Sequence, residues 1–275
     1  MRFPWITKKA TQVKRFDWEN FDRFSYSKHS HIALFAQHHY EEELYGEKKD
    51  VNSWGLKRYD DLLVFSFIKE MIPPGSKLLD IGGGKSRIIR YFKYQYECWN
   101  IDKLAGLGQG PIGPTSIDTT GYRLVRDYIG NFNPELPPNY FDFVFSISAL
   151  EHVPGSNPQV LENILTDINR VLKPGCYSLH CFDSVLKPDG LWVNNLLHYI
   201  FKHEKTFNRL IPYEEISQDK DLFELPEEKF NRNWRRLSGK EYKEYGRPFS
   251  YNVLWKKSGK KLDCPLILHH SCSLK

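Results

Sequence analysis

Five short apolar runs, at residues 77–82, 97–102, 122–129, 141–148 and 176–182, alternate with helix-length amphipathic stretches through the middle of the chain. This alternation constrains the fold more than any other feature. Strands that are each followed by a helix cannot form hairpins, so they pair in parallel, with the helices covering both faces of the sheet. The run at 141–148, FDFVFSIS, is nearly continuous in apolar residues, as a strand buried on both faces requires. The helix after it is the clearest in the sequence. Asn157 can cap it, Pro158 suits the first turn, and Val160, Leu161, Ile164, Leu165, Ile168, Val171 and Leu172 make one stripe before Lys173-Pro174-Gly175 ends it. A second helix over residues 59–71 turns Val64, Phe67, Ile68 and Met71 to one side and stops at Pro73-Pro74-Gly75. A third is expected over 86–96, with Ile88, Ile89 and Phe92 inward. The fold class is α/β, a doubly wound sheet.

The first strand runs into LLDIGGGKSR, which admits three readings. A phosphate-binding P-loop needs a glycine five residues before Gly84, and Leu79 stands there. A dinucleotide fingerprint beginning at Gly82 needs its third glycine at Arg87, a bulky charged residue. The remaining pattern, Asp80-x-Gly82-x-Gly84, brings bare backbone close to a ligand and sets a carboxylate beside it. A carboxylate suits a cationic group rather than a phosphate. S-adenosyl-L-methionine, with its α-ammonium and sulfonium, meets that demand.

The segments that follow sharpen this reading. The second strand ends in Asp102, about 20 residues beyond the loop, where an acidic side chain can accept two ribose hydroxyls. The third carries Asp127 and Tyr128, the fourth leads into SISALEHVP, and the next helix ends in INRVLKPG. Over about residues 60–182 this ordered set resembles the class I SAM-dependent methyltransferases, particularly their small-molecule branch. The resemblance implies a mainly parallel seven-stranded sheet and S-adenosyl-L-methionine as cofactor. It implies that Asp80, Gly82, Gly83 and Gly84 shape the methionine end of the pocket, that Asp102 holds the ribose, and that Asp127 with Tyr128 meets the adenine. Ser146, at the end of the fourth strand, would lie beneath the cofactor. His152 is the catalytic candidate, because a neutral imidazole at the carboxyl edge of the sheet can take a proton from a hydroxyl acceptor. Residues 104–121, rich in Gly and Pro, replace the helix this family normally has there, and Arg87 either meets the donor's carboxylate or faces solvent.

Two regions flank this core. Residues 1–58 are polar and aromatic and are expected to cap the pocket, with Trp18, Tyr26, Tyr40 and Trp54 near the acceptor. The methyltransferase domain then spans 59–275, with 184–250 an insertion over the acceptor site, and residues 251–256 and 265–270 supply two closing strands. His29, His31, His38 and His39 would bind a metal only if three or four converged, which a helical phase prevents, so no metal is expected. The acceptor is expected to be small or medium-sized, such as a sugar, lipid precursor or secondary metabolite, methylated at oxygen. A net charge of +5 permits an anionic partner without demanding one; RNA methylation and non-catalytic binding are the alternatives, and no nucleic-acid module is recognisable. Charged residues make up 27% of the chain, and no apolar run reaches the ~18–20 residues of a membrane span. The N-terminus has no secretory apolar stretch, and five cysteines without a CxxC pair fit reduced thiols, so a cytoplasmic location is expected.

Overall fold

The computed structural model describes residues 16–18, 24–46, 55–107, 110–153, 157–203 and 211–258. Strand β1 (Phe24–Tyr26) leads to helices α1 (His29–His39), α2 (Glu42–Tyr45) and α3 (Leu56–Met71). The alternating core follows as β2 (Lys77–Ile81), α4 (Arg87–Phe92), β3 (Glu97–Ile101), β4 (Arg123–Val125), β5 (Phe141–Ile147), α5 (Pro158–Val171) and β6 (Leu172–Lys187). The chain then passes through β7 (Gly190–Trp192), α6 (Asn195–His203), α7 (Tyr213–Gln218), α8 (Glu227–Ser238) and α9 (Tyr242–Tyr245) into β8 (Arg247–Lys256).

The eight strands form one sheet in the order β1-β8-β6-β5-β2-β3-β4, with β7 beside β6. The pairs from β6 through β5, β2 and β3 to β4 are parallel. The pairs β6–β8, β8–β1 and β6–β7 are antiparallel. From β2 the chain winds outward to β3 and β4, then returns to β5 on the other side. The order therefore reverses between β2 and β5, and open α/β sheets bind ligands at the carboxyl ends of the strands at such a point.

Alternate side chains send the sheet into two apolar layers. Leu78, Phe143, Phe145, Leu179 and Leu254 face α3 and α4; Leu79, Ile81, Val144 and Phe182 face α5 and α6. Phe67 of α3 is fully buried and stacks on Phe143 at 4.9 Å between ring centres. On α5, Asn157 accepts from the backbone of Gln159 and Pro158 opens the first turn, as the sequence indicated.

The doubly wound, mainly parallel sheet agrees with the reading from sequence; its limits differ locally. The third helix is six residues, Arg87–Phe92, and the third strand three, Arg123–Val125. The fifth strand begins at Leu172, directly on α5, and continues to Lys187, so the insertion starts later than residue 184. Between β3 and β4 the 3-10 turn Pro114–Ser116 lies where the Gly/Pro content had indicated a lost helix. The N-terminal segment is more than a cap. Phe24–Tyr26 pairs antiparallel with β8, and α1 packs on α3. Residues 265–270 lie outside the described residues. The insertion also joins the core, burying Phe223, Leu225 and Phe230 with Tyr45 and Tyr59.

Phe67→Ala is expected to lower unfolding free energy by about 3–5 kcal/mol, the usual cost of truncating a fully buried phenylalanine, measured by urea denaturation.

Candidate active site

A cavity of about 890 Å³ opens at the carboxyl ends of β2, β3, β4 and β5. Asp80, Gly82, Gly83, Gly84, Asp102, Asp127, Tyr128 and His152, all singled out from sequence, line it. Sequence separations of up to about 70 residues collapse because each follows, or ends, a strand of one parallel array.

The glycine loop is held by its neighbours rather than free. Gly82 donates to Ile101 O at 2.8 Å, extending the β2–β3 ladder, and has φ +68°. A Cβ there would meet Ala149 Cβ at 2.7 Å, so the loop and the turn after β5 touch at a distance only glycine permits. Gly83 donates to Asn100 Oδ1 at 3.2 Å and Gly84 to Asp102 Oδ2 at 2.9 Å. Asp102 Oδ1 also accepts from Leu104 N at 2.7 Å, so this carboxylate fixes two loops while keeping lone pairs toward the cavity.

Asp80 is 2% exposed, and its Oδ1 has no hydrogen-bond partner. Burial drives its pKa up to about 7, against the opposing pulls of the Ser86 hydroxyl and Lys57. An unpartnered buried carboxylate on a cavity wall is costly unless a cationic group joins it. Asp127 is already engaged: it accepts from Tyr128 N, Asn131 Nδ2 and Asn133 Nδ2 at 2.7–2.9 Å, which hold its pKa below the usual carboxylate value despite partial burial. Asp167 on α5 secures the same loop by accepting from Gly130 N and Phe132 N. Tyr128 is 43% exposed, with its ring at the cavity rim.

Ser146 is not on the cavity wall. It is fully buried, and its hydroxyl meets His180 Nδ1 at 2.8 Å while Ser178 Oγ meets Nε2 at 2.6 Å. Burial lowers His180 to about 3, so the ring is neutral; one serine accepts its single N–H and the other donates to it. Ser148, two residues on, lines the cavity instead, with φ +45°, a conformation L-residues rarely adopt. Ser146 lies inside the β5–β6 ladder opposite His180, whereas Ser148 lies past Ile147, where the ladder stops and the chain turns toward the cavity.

His152 lies on a 3-10 turn, Leu150–His152, with its side chain 41% exposed. Partial burial and nearby Lys57 hold its pKa below 6.5, which keeps it neutral at physiological pH. The insertion braces this turn, because Asn194 donates to Leu150 O at 3.2 Å while capping α6 through Leu197 N. Arg87 also lines the cavity, its Nε donating to buried Asp61 at 2.7 Å. Lys57, at the start of α3, was missed from sequence because α3 begins earlier than its apolar stripe.

The aromatic residues expected above the acceptor lie elsewhere. Trp18 packs on Phe35 and Phe67 and donates to Glu70 Oε2, Tyr26 donates to Asp219, and Tyr40 bonds Gly46 O. Trp54 lies outside the described residues. The N-terminal histidines face different partners: His31 contacts Tyr59 OH at 3.0 Å, and His39 contacts Glu70 at 2.6 Å. The side chain of His38 is not among those described. No described helix is long and apolar enough to cross a membrane.

With this geometry in view, comparison with known proteins is informative. The family profile described as "Methyltransferase domain" matches residues 79–180, from β2 into β6. No curated protein sequence matches the chain. Among solved structures, a Haemonchus contortus phosphoethanolamine N-methyltransferase 2 in complex with S-adenosyl-L-methionine is 14% identical, with a TM-score of 0.39. That alignment covers 83% of this chain and 60% of the other, so the chain spans less than two thirds of that protein's length. A TehB-like SAM-dependent methyltransferase from Corynebacterium glutamicum is 17% identical, covering 83% of this chain and 99% of its own, with a TM-score of 0.38. A putative sarcosine dimethylglycine methyltransferase from Galdieria sulphuraria is 13% identical, covering 79% and 97%, with a TM-score of 0.38.

Residues 79–180 carry the sequence pattern of a methyltransferase domain. S-adenosyl-L-methionine is the cofactor expected from the sequence. The residues present fit that group, since the buried unpartnered Oδ1 of Asp80 suits an ammonium and the glycine loop leaves open backbone beside it.

Two outcomes follow from these contacts. In Gly83→Ala the new methyl would lie 2.4 Å from Asp80 Oδ2; displacing that carboxylate is expected to weaken S-adenosylhomocysteine binding about tenfold or more by calorimetry, with the circular dichroism spectrum retained. Raised carboxyl pKa values at Asp80 (about 7) and Asp183 (about 6) stabilise the fold fully only below their ordinary value of 3.8, and this contribution is lost as pH rises through 6 to 7. The ligand-free protein is therefore expected to melt at a lower temperature at about pH 8 than at about pH 5.5, with a smaller difference in Asp80→Asn.

Proposed function

We propose that the protein methylates a small or medium-sized acceptor, at an oxygen that loses its proton to His152. The observation that carries this reading is the buried Asp80 carboxylate beside the glycine loop, its Oδ1 without a partner, in the same cavity as Asp102 and His152. S-adenosyl-L-methionine supplies an electrophilic methyl on a cationic sulfur. Asp80 holds the ammonium of its methionine end, and Gly82, Gly83 and Gly84 let the backbone approach it. Asp102 accepts from the ribose hydroxyls with the lone pairs its two loop contacts leave free. Asp127 and Tyr128 border the adenine, the former orienting the loop more than offering a free acceptor. Ser148 takes the position beneath the cofactor first assigned to Ser146. Neutral His152 accepts the acceptor's hydroxyl proton, and the neighbouring side chains limit the water that could compete.

Calorimetry with S-adenosylhomocysteine tests the donor site, and absence of binding at high micromolar concentration would overturn it. Asp102→Ala is expected to raise the dissociation constant about tenfold or more, the cost of lost charge-assisted hydrogen bonds. His152→Ala should leave that constant unchanged and lower kcat about 100-fold or more, with loss of an acid limb lying below pH 6.5 in the wild-type profile. Wild-type kinetics in both variants would refute these assignments.

A further inference from the structure

A group of carboxylates lies just beyond the donor residues and takes no part in the scheme above. Glu151 is the most telling member. Its side chain is 4% exposed and neither carboxylate oxygen has a hydrogen-bond partner. The nearest ionisable nitrogen is His152 Nε2 at 4.0 Å, beyond hydrogen-bonding reach. Asp60, on α3, is fully buried; its Oδ1 accepts from Ser250 Oγ at 2.5 Å and its Oδ2 from Ser148 Oγ at 3.2 Å. Asp183, on β6, is offered the same Ser148 hydroxyl at 3.4 Å. One hydroxyl carries one proton, so it cannot satisfy both carboxylates.

The electrostatic surroundings offer little relief. The Cys181 thiol is fully buried among Asp60, Glu151, Asp61 and Asp183, and burial with those charges pushes its pKa far up. Asp61 has a guanidinium partner in Arg87. Lys57 pulls on Glu151 and Asp183 from a distance, and among the described residues no ion pair joins it to either. Tyr245, on α9, faces Asp183 from the insertion. Burial, with repulsion from Asp183, raises Asp60 and Glu151 well above ordinary carboxylates, and burial lifts Asp183 to about 6 against the pulls of Lys57 and the Ser148 hydroxyl. A fold gains nothing by collecting such groups, and buried carboxylates without cations are destabilising.

Sheet order locates the cluster relative to the donor. Passing from β4 through β3 and β2 to β5 and β6, the carboxyl edge presents Asp127, Asp102, Asp80, then Ser148 with Glu151, and then Asp183. Neighbouring strands are about 4.8 Å apart, so the cluster begins one strand beyond Asp80. Asp183 pairs with Ser250 two residues past Cys181, whose own partner is Ile147, so it stands level with the turn that holds Ser148. Ser148 and His152, on either side of Glu151 in sequence, both line the cavity.

We propose that Glu151 and Asp183, backed by Asp60, anchor the acceptor, and that the acceptor presents a primary or secondary ammonium group to them beside the hydroxyl that is methylated. This rests on the donor assignment of the preceding subsection and adds the substrate class. A compact ammonium carries donors enough for both Glu151 oxygens and Asp183, and its charge relieves the repulsion among the three carboxylates. A neutral hydroxyl compound of the same shape would leave that repulsion in place and would be discriminated against.

The test uses the full chain saturated with S-adenosylhomocysteine. Ethanolamine, n-butylamine and benzylamine are compared with ethylene glycol, n-butanol and benzyl alcohol by thermal shift, and, in separate samples without S-adenosylhomocysteine, ethanolamine is compared with ethylene glycol for transfer of labelled methyl from S-adenosyl-L-methionine. At least one amine is expected to bind about tenfold more tightly than its isosteric alcohol, as charge-assisted contacts to a buried carboxylate require. Glu151→Gln and Asp183→Asn should each abolish that preference while S-adenosylhomocysteine binds within about twofold of wild type. Equal response to amines and alcohols in the wild-type protein, which needs no variant to fold, would overturn the proposal. So would an amine preference that persists in both variants. Failure of wild-type protein to bind S-adenosylhomocysteine would instead overturn the donor site, and the acceptor subsite with it.

Discussion

The parallel pairing of β2 with β5, where Leu78, Leu79 and Asp80 run beside Phe143, Val144 and Phe145, is the contact on which the rest of the molecule depends. It joins the two directions in which the chain winds and so opens a crevice at the carboxyl ends of both strands. Just past these ends Gly82 and Ala149 touch at a distance that excludes any side chain on the glycine. One loop supplies Asp80 and the glycines; the other supplies Ser148, Glu151 and His152. The apolar layers on either face hold this alignment, and the left-handed Ser148 persists because the ladder on one side and the braced Leu150–His152 turn on the other leave it no alternative.

Charge along this edge is distributed in an unusual way. Carboxylates follow one another from β4 to β6, and several are buried without a cation. Loop amides and side-chain amides satisfy Asp102 and Asp127, which therefore act as structural ties between the loops of the cavity. Asp80 and Glu151 lack such partners. The contrast separates carboxylates that organise the fold from those whose cost makes physical sense only when something cationic arrives. The insertion contributes by packing Phe223, Leu225 and Phe230 into the α3 layer and by fixing the turn that carries Glu151.

Much of the architecture was legible before any coordinates. The stripe of α5, the unbroken apolar run of β5 and the Asp80-x-Gly82-x-Gly84 loop follow from local periodicity and backbone freedom, which a sequence carries directly. The errors share one cause. Ser146 was assigned to the ligand as a strand-end residue, yet the parallel ladder continues past it and closes its hydroxyl onto His180. Trp18 and Tyr40 were expected at the acceptor because aromatics often line pockets, whereas Trp18 became core. The edge place beside β8 went to residues 24–26, a three-residue strand too short to register as a pattern.

The sequence by itself determined the class of fold and pointed to the proposed methyl donor, since both rest on short-range signals: strand–helix alternation, a glycine loop behind a carboxylate, and acidic residues at successive strand ends. Only the tertiary structure decided which side chains share a space. Asp60, Glu151 and Asp183 come from a helix, a turn and a strand widely separated along the chain, and nothing in their local sequence marks them as a group. Their meaning depends on burial and on the absence of partners, quantities that exist only once the chain has closed around them.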